Sequence, residues 1–215
     1  MENKPLLYIL AGPNGIGKTT SFYDFVPQNM TFINADDIAK QLKEKSGEVN
    51  IQEIANGEAT RLMNGLIAKR ENFGFETNLA DNDTWKFIEN IQLIGYQIII
   101  NFYCVDDVEI CIRRVFNRVK EGGHFVRPDI VKMRYENGLK LLKYYFELPD
   151  SLILTNNSNA PIEFLKVEKG DIVYQEESLN LPLWIKNILP VKPENIEDKN
   201  ESIETIKQRY LDKNK

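Results

Sequence analysis

The chain has 215 residues, 42% of them hydrophobic, enough to bury one core and carry a short appendage. Its formal net charge of −5 argues against general affinity for nucleic acid or an anionic membrane, so the expected partner is a small molecule. Cys104 and Cys111 form no C-x-x-C pair, and no apolar run approaches the roughly 18 residues of a membrane span, which together suit a cytoplasmic protein with reduced core thiols.

In chain order, the apolar run 6 to 11 reads as a first strand that breaks at Gly12-Pro13-Asn14-Gly15-Ile16-Gly17-Lys18-Thr19-Thr20. Gly12, Gly17, Lys18 and Thr19 satisfy the P-loop pattern G-x-x-x-x-G-K-[ST], and residues 19 to 25 can continue as a helix. The glycines let successive backbone N–H groups surround a phosphate, and the helix that follows adds its positive dipole end. Residues 12 to 20 are therefore the expected nucleotide site, with Lys18 reaching the β- and γ-oxygens and the Thr19 hydroxyl on Mg²⁺. The same apolar break rules out a signal peptide.

Residues 31 to 34 predict a second strand, 51 to 69 an amphipathic helix with apolar positions spaced three and four apart, and 74 to 77 a third strand. A helix over 84 to 94, a strand over 97 to 105, helices over 108 to 120 and 130 to 146, and a strand over 151 to 155 complete the alternation. That pattern predicts an α/β fold, a doubly wound and mainly parallel five-stranded sheet with helices on both faces. Residues 1 to 160 are read as this domain, and 161 to 190 as an extension packed on it, a β-hairpin turning at Glu168-Lys169-Gly170-Asp171 followed by a short helix from Pro182. Residues 191 to 215 are nearly all charge and amide, a marginal helix or a disordered tail.

Three further segments carry candidate chemistry. Asn34-Ala35-Asp36-Asp37-Ile38-Ala39 lies where the second strand ends, at the sheet edge that holds ligands in such folds. One of these acids, with Asp36 favoured over Asp37, is placed to accept the proton of an attacking hydroxyl; the alternative is that both serve the helix N-terminus. Glu76 interrupts the apolar third strand at the same edge, as a contact to metal-bound water or substrate hydroxyls or as a structural partner, with Thr77 and Asn78 beside it as weaker substrate contacts. Arg113, Arg114, Arg118, Gly122-Gly123-His124, Arg127 and Arg134 have the pattern of an arginine-bearing lid, against the alternative of a solvated basic helix face. His124, the single histidine, is assigned no chemistry.

The ordered set GPNGIGKTT, INADDIA, FETNL and RVFNRVKEGGHFVRP, with Arg134 on the next helix, resembles the zeta toxin-like family of P-loop kinases over about residues 5 to 156. The resemblance implies ATP and Mg²⁺ as cofactors and a substrate hydroxyl as acceptor, that of UDP-N-acetylglucosamine in better-known members. It further implies Asp36 as base, Glu76 as substrate-side acid, Lys18 and Thr19 on ATP-Mg²⁺, and Arg118, Arg127 and Arg134 on the transferred phosphate. An antitoxin protein that occludes the nucleotide pocket is the partner it suggests, and the compact pattern is similar to that of chromosomal relatives. Two other classes stand behind the kinase: an ATPase or switch using Asp106 at the end of the fourth strand, and a polynucleotide 5′-kinase.

Overall fold

In the computed structural model, residues 4–18, 30–45, 50–176 and 181–189 are described. The predicted helix over 19 to 25, the residues Thr19 and Thr20, and the tail over 191 to 215 lie outside them. The elements are β1 (Leu6–Ala11), β2 (Thr31–Ile33), α1 (Ala35–Lys45), α2 (Ile51–Lys69), β3 (Phe73–Thr77), α3 (Asn82–Leu93) and β4 (Gln97–Cys104). Then follow α4 (Val108–Lys120), α5 (Pro128–Tyr144), β5 (Ser151–Asn156), β6 (Ile162–Glu168), β7 (Asp171–Gln175) and α6 (Leu183–Ile188).

One sheet runs in the order β2-β3-β1-β4-β5-β6-β7. The first five strands of that order pair in parallel, as the alternation with helices predicts. The hairpin does not sit on the sheet but extends it. β6 adds antiparallel to the free edge of β5 and β7 to β6, so the sheet has seven strands. The turn joining them has positive φ at both Lys169 (51°) and Gly170 (87°), the twist that suits a two-residue hairpin.

Two helix starts are earlier than the periodicity predicts, and each has a local cause. The Asp81 carboxylate accepts from the Thr84 N–H at 2.8 Å, which starts α3 at Asn82. Pro128, with φ preset and no N–H to lose, is the first residue of α5.

Burial divides by sheet face. Leu7, Ile9, Phe73, Phe75, Ile98, Ile100, Leu152 and Leu154 meet Trp85, Ile88 and Ile91 of α3 and Leu142 of α5. Trp184, Ile185 and Ile188 of α6 enter the same core. Leu10, Ile16, Tyr103 and Val105 pack with Cys111, Ile112 and Val115 of α4 and Val131 of α5. Each fully buried aliphatic or aromatic side chain contributes about 1.5–3 kcal/mol, so this double-sided core holds the strand ends rigidly. Among the described residues no helix is long and apolar enough to cross a membrane.

Both cysteines are free and buried, as expected of core thiols. Burial pushes the Cys111 thiol up to about 11 and Cys104 further still, against the pull of Arg114 on the first. Neither carries appreciable thiolate below pH 9, so an aromatic disulfide reagent at pH 8 is expected to leave both unmodified in the native protein and to titrate two thiols after denaturation. Rapid native reaction at either would contradict this packing.

Candidate active site

Because β1 to β5 all point the same way, their C-terminal ends meet at one edge. The loop after β1, the β2–α1 turn, the end of β3 and the segments after β4 and β5 converge there. β1 is central, with β3 and β2 on one side and β4 and β5 on the other. The phosphate-binding motif therefore opens at the middle of the sheet.

Within the loop Gly12, Gly15 and Gly17 all have positive φ, at 137°, 77° and 95°. A Cβ on Gly15 would collide with the carbonyl oxygen of Cys111 on α4, so the loop can lie against that helix only with glycine here. Lys18 is 5% exposed, and its Nζ donates to the carbonyl oxygens of Gly12 (2.5 Å) and Pro13 (3.2 Å). The ammonium folds back over the loop it follows. It also faces Glu76 Oε1 at 3.6 Å.

Register explains that pair. Parallel pairing sets Leu10 opposite Glu76 and Ala11 opposite Thr77, so the end of β3 stands beside the start of the loop. Burial pushes the Lys18 ammonium below its usual range and the Glu76 carboxyl above its own, and the attraction between the two opposes both shifts. Asp36 is felt by both members of the pair, whereas Asp37 is felt by Glu76 alone. Asp37 instead lines a groove of about 320 Å³ between α1 and α2, with Phe32, Ile38, Gln41, Leu62 and Leu66. Asp37 thus borders that groove, while Asp36 lies near enough to Lys18 to favour its charged form.

Thr77 and Asn78 end the same strand. The Thr77 hydroxyl accepts from the Leu79 N–H at 3.0 Å, a turn contact that lets Leu79 adopt φ 52°. Asn78 Oδ1 is buried and has no hydrogen-bond partner among the described residues.

The arginines separate into different tasks. Arg134 on α5 reaches the loop, donating from Nη1 to Asn14 Oδ1 at 2.6 Å. Arg118 donates to the His124 carbonyl oxygen at 3.0 Å, and Arg127 forms an exposed bidentate pair with Asp129 at 2.7 and 3.0 Å. Of these three, Arg134 is the one bonded to the loop. Arg114, read from sequence as part of the lid, instead braces the loop from below: it donates to the carbonyl oxygens of Ile16 (3.3 Å), Asn157 (2.8 Å) and Ser158 (3.0 Å). Asn157 adds a bond from Nδ2 to the same Ile16 oxygen at 2.7 Å. Neither role is visible in the chain order, since Asn157 is 141 residues from Ile16.

Asp106 is occupied elsewhere. Its carboxylate accepts from Asn156 Nδ2 and Ser158 Oγ, both at 2.9 Å, tying the ends of β4 and β5 together. Asp107 caps α4 through the Glu109 N–H at 2.9 Å.

A parallel sheet with a glycine loop, a buried loop lysine and flanking carboxylates at its C-terminal edge defines the P-loop kinase class of α/β proteins. The zeta toxin family model matches residues 1–148, and the chain belongs to that family. An uncharacterized protein of Haemophilus influenzae is 34% identical over 141 residues, covering 63% of this chain and 94% of that one. Among solved structures, the PezAT chromosomal toxin–antitoxin system of Streptococcus pneumoniae aligns over 99% of this chain and 88% of its own, with TM-score 0.59 and 15% identity. The AvrRxo1-ORF1:ORF2 complex with ATP aligns over 91% and 67%, with TM-score 0.66 and 14% identity. At such identities these two likenesses show the fold.

The brace below the loop has a measurable consequence. Arg114→Ala removes a charged donor from three carbonyl oxygens and is expected to cost about 2–3 kcal/mol in urea denaturation. Arg114→Lys, which lacks the planar fork, is expected to recover less than half of that loss. Wild-type stability in the alanine variant would remove Arg114 from this role.

Proposed function

We propose that the chain transfers the γ-phosphate of ATP to the hydroxyl of a small-molecule acceptor, with UDP-N-acetylglucosamine the first acceptor to test. The observation that carries this reading is the Lys18–Glu76 ion pair at 3.6 Å beside the phosphate loop, with Asp36 in the first turn of α1 near enough to act electrostatically on both and Arg134 held at Asn14 of the same loop.

The residues fit a nucleoside triphosphate with its Mg²⁺. The glycine conformations turn the loop, Lys18 supplies a buried positive charge at its base, and Arg134 supplies a second beside it. In this reading Lys18 exchanges its carbonyl contacts for β- and γ-oxygens, and the Thr19 hydroxyl would hold the Mg²⁺, which would supply charge neutralisation on the phosphates. Asp36 accepts the proton as the acceptor oxygen attacks the γ-phosphorus in line, the bond to the β-phosphate oxygen breaks, and ADP leaves. Glu76 orients acceptor hydroxyls, with Thr77 and Asn78 as neighbouring contacts. Arg134 stabilises charge on the transferred group, joined on closure by Arg118 and Arg127, the latter after leaving Asp129.

Hydrolysis without an acceptor, run through Asp106, is less well supported, because both oxygens of that carboxylate already bind Asn156 and Ser158. The acidic overall charge likewise disfavours a polynucleotide 5′-kinase. A protein partner of antitoxin type would be expected to cover the loop and compete with ATP.

The test is incubation with Mg²⁺-ATP and a panel of sugar nucleotides, nucleosides and oligonucleotides, with products read by mass spectrometry. A phosphorylated small molecule is expected, with turnover reduced at least about 100-fold in Asp36→Asn and abolished in Lys18→Ala. Asp106→Asn is expected to retain it. ADP release with no phosphorylated product, unchanged by Asp36→Asn but lost with Asp106→Asn, would reverse the assignment.

A further inference from the structure

Asn34 is the polar residue of the crevice to which phosphotransfer assigns no task. It follows the three-residue strand β2 and precedes α1. Its side chain is used at both ends. Nδ2 donates to Glu76 Oε2 at 2.9 Å, and Oδ1 accepts from the Asp36 N–H at 2.8 Å. Its carbonyl oxygen also accepts from the Ile38 N–H at 3.1 Å, the first turn of α1. Glu76 is thus held from two sides, by Asn34 on Oε2 and by Lys18 on Oε1.

The amide suits this place for a chemical reason. Ser and Asp cap helices about as well as Asn does, but neither has an acceptor oxygen for the cap and a separate N–H to give a carboxylate, as Asn34 uses here. Asp here would set a further negative charge against Glu76, which already faces Asp36 and Asp37 of α1 with Lys18 of the loop as its cation. A residue needed merely to start α1 would tolerate those exchanges. One that joins α1 to Glu76 would not.

We infer that Asn34 is a positioning residue that fixes the separation of Asp36 and Glu76 across the acceptor cleft, holding Glu76 on Lys18 while it anchors the turn from which Asp36 projects. This rests on the kinase reading above. Misplacement of reacting groups by about 1 Å costs on the order of 100-fold in rate, so the effect of losing Asn34 falls on turnover and not on nucleotide binding.

The experiment compares wild type, Asn34→Ser and Asn34→Asp for Mg²⁺-ATP turnover with the acceptor panel named above, ATP affinity by calorimetry, and thermal unfolding. It also follows the Asn34 side-chain amide by ¹⁵N NMR through a pH titration of the free protein. Asn34→Ser, which keeps the cap, is expected to melt near wild type and bind ATP within about twofold, while turnover falls at least tenfold. Asn34→Asp is expected to lose more, with the acid limb of its rate profile moved to higher pH, because a carboxylate beside Glu76 favours the protonated form. In wild type the Asn34 amide resonance is expected to titrate with Glu76, and in Glu76→Gln to lose that titration. Unchanged turnover in Asn34→Ser, or ATP affinity falling in step with turnover, would overturn the proposal. If wild type binds ATP but forms no phosphorylated product with any acceptor of the panel, the kinase reading fails. The positioning claim is then decided by NMR, where an amide indifferent to Glu76 sinks it.

Discussion

The pairing of a buried lysine with a partly buried carboxylate, Lys18 with Glu76, is the constraint around which the crevice is organised. The Lys18 ammonium is costly to hold unpaired at such burial, and the pair pins the loop after β1 to the end of β3. The sheet register makes this possible, because Glu76 stands opposite Leu10 and the loop begins two residues later. The pair is held by further polar contacts: carbonyl oxygens of Gly12 and Pro13 on the ammonium, and the Asn34 amide on the carboxylate. A charge pair bonded in this way is held by contacts on both partners.

The underside of the loop is governed by different forces. There the chain lies against α4 and the β5–β6 connection, where carbonyl oxygens of Ile16, Asn157 and Ser158 point inward and must be satisfied. Arg114 and Asn157 provide the donors. A rigid base and a polar upper surface are what a phosphate cradle requires, since donors aimed in advance need no reorganisation when charge develops. The arginines farther along α4 and the following loop are held on carbonyl or surface carboxylate partners, and those contacts are of the kind that exchange readily.

The family model covers residues 1–148, whereas β5, β6, β7 and α6 lie beyond it. These later elements are not detached from the fold. β6 completes the sheet edge left open by β5, and Trp184, Ile185 and Ile188 fill core space on the large-cluster face. Beyond-family residues also serve the site directly, through Asn157 and Ser158 under the loop.

Sequence alone determined the parallel core, the nucleotide loop and the elements carrying the candidate acids, because these depend on local rules. Apolar period and glycine placement are written within a few positions of where they act, as at Gly12 to Lys18, whereas Asp81 and Pro128 start their helices two residues before the apolar period does. Only tertiary structure decided which side chains meet. That Arg114 braces the loop, that Asp106 is consumed by Asn156 and Ser158, and that Asn34 bridges Glu76 to α1 all depend on contacts between residues 42 to 141 positions apart, and that the hairpin joins the sheet depends on the edge β5 leaves open. A motif reports the type of group at a strand end, whereas its direction and its partner follow from sheet register and helix packing, which no local pattern encodes.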